Sequence, residues 1–155
     1  VAYARAVRPA ALIGVGAAAL LLGALVVGHF VVLPALAGSP LLDANLAKAV
    51  SGPLALRLAD LMVVASAALA LAASRWIASR AGTTIALVLA AAALAPRLLL
   101  VPPLGRLWAR VDLVAGRPVD LLGEAQRWSE HQQWLLVAMI VLVLALLGLA
   151  TRRPV

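Results

Sequence analysis

Residues 134–150 read WLLVAMIVLVLALLGLA, a run with no charged and almost no polar side chain. An α-helix needs about 20 apolar residues to cross a bilayer, so this run nearly forms one span by itself. Similar runs precede it, and the predicted helices are 10–36, 53–77, 82–100 and 126–150. The pattern therefore predicts an all-α, four-helix transmembrane bundle that forms a single domain over residues 1–155.

The composition agrees with a membrane protein. Hydrophobic residues make up 65% of the chain, and the mean hydropathy is +1.09. Soluble domains are about 45–50% apolar, and their surface limits how much apolar side chain they can bury. The chain has no cysteine, which excludes disulfides, thiolate zinc sites and a cysteine nucleophile.

Two short amphipathic helices are expected at the membrane surface. Residues 41–51 place Leu41, Leu42 and Leu46 on one face, and Pro53 is suited to the first turn of the next helix. The external polar segment, 101–125, begins where Pro102 and Pro103 are expected to end the third helix. Its first half has helical apolar spacing, and a second piece is expected to run from residue 119 directly into the fourth helix.

The arginines indicate an orientation. One face of the predicted bundle carries basic residues and no acid: Arg5, Arg8, Arg75, Arg80, Arg152 and Arg153. By the positive-inside rule, both termini lie in the cytoplasm of a bacterium whose plasma membrane holds the chain. Because the arginines flank apolar runs, the net charge of +7 indicates contacts with lipid headgroups and not with nucleic acid.

Ionisable residues near the opposite boundary form the candidate polar cluster: Arg57, Asp60, Arg97, Arg127 and Glu130. Such groups are costly at membrane depth and are candidates for function. Arg57 and Asp60 are three residues apart on one helix, so we expect an ion pair between them; a proton relay or a substrate site at Asp60 is the alternative. Arg97 is expected to reach headgroups or an acidic side chain.

The two histidines, His29 and His131, are candidate ligands of a metal or a haem, because imidazole binds iron, copper and zinc. The alternative is that each makes a hydrogen bond between helices. The tryptophans all fall at predicted helix boundaries and indicate an aromatic belt: Trp76, Trp108, Trp128 and Trp134. No phosphate loop, HExxH or GxSxG motif is present, so an enzyme is the less favoured interpretation.

The order of these features resembles a known family. GHFVVLPAL at 28–36, a Pro-Arg end to the third helix and RWSEHQQW at 127–134 are similar to the small four-helix membrane proteins of a bacterial domain of unknown function, numbered 4149. That family is related to the eukaryotic transmembrane protein 205. The resemblance implies an Arg…His pair at Arg127 and His131, and it implies no reaction.

Three hypotheses follow from the sequence. The first is a non-enzymatic structural or accessory subunit that packs against other membrane subunits or copies of itself through small residues such as Gly16, Gly23 and the alanines at 90–93. The second is a redox protein that binds haem or metal through its two histidines. The third is a small transporter or lipid-binding protein that uses Asp60, Arg57 and Arg97. We prefer the first hypothesis, a structural or accessory subunit, which requires no cofactor.

Overall fold

The computed structural model describes residues 2–77, 79–110 and 119–151, and these residues form helices and short connections with no β-strand among them. The α-helices are α1 (Ala2–Leu22), α2 (Leu33–Ala37), α3 (Ala44–Trp76), α4 (Arg80–Ala95), α5 (Val101–Arg110) and α6 (Val119–Thr151). Two π-helical segments, Gly23–Val32 and Pro96–Leu100, lie within the helical runs. The predicted all-α class is confirmed.

Four stretches are long and apolar enough to cross a membrane: span 1 (Pro9–Ala37), span 2 (Asn45–Trp76), span 3 (Arg80–Leu107) and span 4 (Gly123–Thr151). Their lengths of 28 to 32 residues exceed the roughly 20 residues that a bilayer requires. The four-helix bundle predicted from the sequence is therefore confirmed, and the chain is an integral membrane protein.

The helix of span 2 begins earlier than predicted. Its N-cap is Asp43, whose side chain accepts a hydrogen bond from the Leu46 amide at 2.7 Å. From there the helix runs through Pro53 without a break. The prediction of a separate amphipathic helix at 41–51 was therefore wrong. A strong cap at Asp43 starts the helix, and one proline inside a long membrane helix is tolerated.

The third helix also continues beyond its predicted end. α4, the second π-helical segment and α5 follow one another directly from Arg80 to Arg110, so Pro102 and Pro103 do not terminate it. Both prolines lie inside this continuous helical run, and proline is tolerated within membrane helices. Of the predicted external segment, 111–118 lies outside the described residues, as do Arg152 and Arg153. The predicted unbroken entry from residue 119 into the fourth helix is confirmed.

Helices that are neighbours along the chain pack together: α1 on α3, α3 on α4 and α4 on α6, with α6 also meeting α1. The centre of the bundle is filled by large apolar side chains that are almost fully buried: Leu21, Leu25, Met62, Leu69, Leu89, Leu136, Met139, Val143 and Leu146. These buried side chains mark the face of each helix that points toward the centre of the bundle.

Two glycines of span 1 allow span 2 to approach closely. A side chain at Gly14 would overlap the indole ring of Trp76. A Cβ atom at Gly28 would lie 2.7 Å from a methyl carbon of Leu58. Small residues commonly permit such contacts between membrane helices, and these two set the register of span 1 against span 2.

The contact at Gly14 gives a stability prediction. We expect Gly14→Ala to lower the free energy of unfolding in detergent by about 1–3 kcal/mol, because the rigid indole of Trp76 must move. Gly52→Ala is the matched control, since Gly52 is exposed in α3 with no atom within 4 Å of an added Cβ. Denaturation followed by circular dichroism measures both. An equal effect of the two substitutions would contradict the close contact.

Candidate functional site

Asp60 and Arg97 form an ion pair that joins span 2 to span 3. The Nε atom of Arg97 donates to Oδ1 of Asp60 at 2.6 Å, and the two side chains are 40% and 45% exposed. The predicted pair between Arg57 and Asp60 was therefore wrong, because the Asp60 carboxylate is taken by a residue of a different helix. Arg57 is exposed, and no ion-pair partner for it is found within the described residues.

The second π-helical segment determines where Arg97 lies. Pro96 begins the segment and has no amide hydrogen, and its ring displaces the carbonyl of the preceding turn. The turn widens to five residues, and the Val101 amide bonds to the Pro96 carbonyl. Such wide turns are rare in proteins, and those that occur are often found at functional sites. Here the widened turn carries the arginine that reaches Asp60.

The first π-helical segment carries His29. Its imidazole is buried, and Nδ1 lies 3.0 Å from the carbonyl oxygen of Ala24, five residues earlier. A carbonyl only accepts hydrogen bonds, so Nδ1 carries the hydrogen and Nε2 has the free lone pair of the neutral ring. Nε2 is buried and has no hydrogen-bond partner. Sequence reasoning identified His29 but not this unpaired nitrogen, since its burial depends on neighbouring spans.

His131 differs from His29 in its surroundings. Its ring is exposed, and Nδ1 donates to the Arg127 carbonyl at 2.6 Å in the preceding turn of α6. Within the described residues, no three His, Cys, Asp or Glu side chains are grouped as metal ligands. Only the imidazole of His29 is buried, so the described residues offer one sheltered histidine nitrogen, Nε2 of His29, that could bind a metal. A haem or metal held jointly by His29 and His131 stays a prediction, which visible absorbance and metal analysis test.

The remaining cluster residues, Arg127 and Glu130, are exposed on α6. The Glu130 carboxylate accepts a hydrogen bond of 3.4 Å from the side chain of Gln126, one turn earlier. Of the tryptophans, Trp134 is exposed, Trp128 is half-buried and Trp76 packs on Gly14; the side chain of Trp108 lies outside the described residues. The aromatic belt stays a prediction.

A groove runs along the outside of the bundle between spans 1 and 2. Its volume is about 690 Å³. All the lining residues are apolar or glycine: Gly16, Ala19, Leu20, Gly23, Ala24, Val27, Gly28, Val32, Leu54, Leu58 and Leu61. Added Cβ atoms at Gly16 or Gly23 would meet nothing within 4 Å. The sequence marked Gly16 and Gly23 as small, but it did not indicate that they share one groove.

No family model, curated protein or solved structure matches the chain. The fold and the site therefore define its class by themselves: a four-span integral membrane protein. Its described residues include an ion pair between spans 2 and 3, a buried imidazole with an unpaired nitrogen and an open apolar groove.

The ion pair gives a second stability prediction. We expect Arg97→Gln to reduce the free energy of unfolding by about 1 kcal/mol, because half-exposed pairs contribute little. Exchanging the two residues, Asp60→Arg with Arg97→Asp, should recover part of that loss. Arg57→Gln is the control and should have no effect on a monomer in detergent. If Arg57→Gln were as damaging as Arg97→Gln, the carboxylate of Asp60 would be bound to Arg57 after all.

Proposed function

We propose that this chain is a non-enzymatic structural membrane protein, which assembles with a further transmembrane helix along the groove between spans 1 and 2. The observation that carries the proposal is the position of Gly16 and Gly23. Both glycines line the groove. At neither position would an added Cβ atom collide with another atom of the described residues.

The glycines of span 1 separate into two pairs by what they contact. Small residues in membrane helices commonly mark the places where another helix approaches closely. Gly14 and Gly28 have such contacts, with Trp76 and Leu58. Gly16 and Gly23 do not, and a helix lying in the groove would supply the reason for them.

A helix explains the groove better than an acyl chain does. Ala19 and Gly23 are four residues apart on the groove side of span 1, which is the spacing of small residues that lets two membrane helices approach closely. An acyl chain is flexible and fills an uneven apolar surface whether or not glycine is present. The small-residue spacing therefore favours a rigid occupant.

The orientation and the family remain part of this proposal. Arg75 and Arg80 flank the connection between spans 2 and 3, which favours a cytoplasmic position for this connection and for both termini. A bacterial plasma membrane is the location that we propose. A membrane-impermeant thiol reagent reads this orientation from introduced cysteines, since the chain has none. The resemblance to the family numbered 4149 rests on the sequence features at 28–36, at Pro96-Arg97 and at 127–134, which include Arg127 and His131.

The proposal is tested by the size of the assembly extracted in mild detergent. We expect the native protein to exceed the 15.9 kDa of one chain, and we expect Gly16→Leu and Gly23→Leu to release the monomer, because leucine fills the space that the partner helix occupies. Native mass spectrometry and sedimentation measure the change.

Gly52→Leu is the matched control for these substitutions. Gly52 is also an exposed helical glycine with open space around it, but it does not line the groove. It should leave the assembly intact, and circular dichroism should show the same helix content for all variants. An unmodified protein that is monomeric under every condition would reject the proposal.

A further inference from the structure

Span 4 exposes one continuous stripe of side chains along its length. Glu130, Trp134, Val137, Val141 and Leu144 are all exposed. They are spaced alternately by four and three residues, which places them on a single face of a helix. We call this stripe the span 4 ridge. Trp134 is 74% exposed and Val141 is 59% exposed, so the ridge projects away from the core of its own bundle.

The groove has the complementary shape. On span 1 it is lined by Gly16, Ala19 and Gly23, and on span 2 by Leu54, Leu58 and Leu61. Large side chains of one membrane helix pack well over small residues of another. The valines and the leucine of the ridge therefore suit the small residues of span 1.

The groove and the ridge also agree in depth. Spans 2 and 4 run in the same direction across the membrane, because the chain reverses its direction twice between them, once before span 3 and once after it. The continuous apolar stretch starts at Leu61 in span 2 and at Trp134 in span 4. Gly28 contacts Leu58, and Gly23 lies five residues deeper along span 1. With Leu61 and Trp134 set at one level, Val137 lies the equivalent of six residues below Leu58, so Gly23 and Val137 are close in depth.

Charges at the outer end of the two surfaces match as well. Arg57 lies on the face of α3 that carries Leu54, Leu58 and Leu61, by helical spacing. It is exposed, and Asp60 is already bound to Arg97. Arg57 and Glu130 each precede the apolar stretch of their span by four residues, about one helical turn. An exposed cation at the groove and an exposed carboxylate on the ridge thus lie at one level.

We propose that span 4 of a second copy of this chain occupies the groove, with its Glu130 paired to Arg57. This identifies the occupant of the groove and rests on the proposed function. The groove and the ridge are different surfaces, so the contact is heterologous, and repetition of it around an axis normal to the membrane closes a ring. Each copy then covers the groove of one neighbour and the ridge of another.

The absence of native cysteine allows a direct test by disulfide cross-linking. Two differently tagged full-length copies are expressed together, one with Gly23→Cys and the other with Val137→Cys. Mild oxidation in the membrane should yield a mixed disulfide that contains both tags and has twice the mass of the 15.9 kDa chain. The control replaces Gly23→Cys by Leu94→Cys, an exposed position on span 3, which does not line the groove.

A charge exchange tests the pairing of Arg57 with Glu130. Arg57→Glu and Glu130→Arg should each raise the dissociation constant of the oligomer about tenfold, and the two together in one chain should restore most of the affinity. Glu124→Arg is the matched control, because Glu124 is exposed on the same helix but lies off the ridge. Restoration by the double variant distinguishes a direct pair from a general effect of charge.

The outcomes separate this proposal from the one on which it rests. Equal cross-linking from Leu94→Cys, or a double charge variant as weak as the single variants, overturns the second-copy assignment. A larger assembly that Gly23→Leu dissociates, without any disulfide between copies, assigns the groove to a helix of a different protein; the proposed function then stands and this inference fails. A protein that is monomeric in all variants overturns both.

Discussion

The hydrocarbon of a bilayer offers no hydrogen-bond partner to the polypeptide backbone, and the architecture of this chain follows from that constraint. Every described stretch that is apolar enough to cross the membrane is helical, so its amides and carbonyls bond within the same segment. Proline interrupts this pattern. Pro34 follows the first π-helical segment closely and Pro96 begins the second, and these two widened segments carry His29 and Arg97.

The ion pair between Asp60 and Arg97 has a consequence for the rest of the polar cluster. A carboxylate held by span 3 is not free to neutralise Arg57 on its own helix. Arg57 is thereby left as an exposed cation beside an apolar groove, where the cost of an unpaired charge near the membrane favours an anionic neighbour. In the proposed assembly, this one aspartate links the internal packing of spans 2 and 3 to the contact between copies.

Glycine has two different roles in span 1. Gly14 and Gly28 let span 2 approach, and the chain itself accounts for them. Gly16 and Gly23 line the open groove, and no other described residue of the bundle lies where their side chains would be. Composition does not separate these roles, because glycines of both kinds lie in the same apolar run. The separation needs the rotation of span 1 about its axis, which packing against α3 sets.

The sequence by itself determined the class of the protein and the number of its spans, because hydropathy acts locally along the chain. It did not determine the helix ends expected at Pro53 and Pro102, because the helices run through both prolines, as membrane helices tolerate. It identified Asp60, Arg97 and His29 as candidates, but the tertiary structure alone decided that Asp60 binds Arg97, that His29 Nε2 is unpaired and that the groove is open. Each of these depends on side chains from different helices, and their distances follow from how the helices pack.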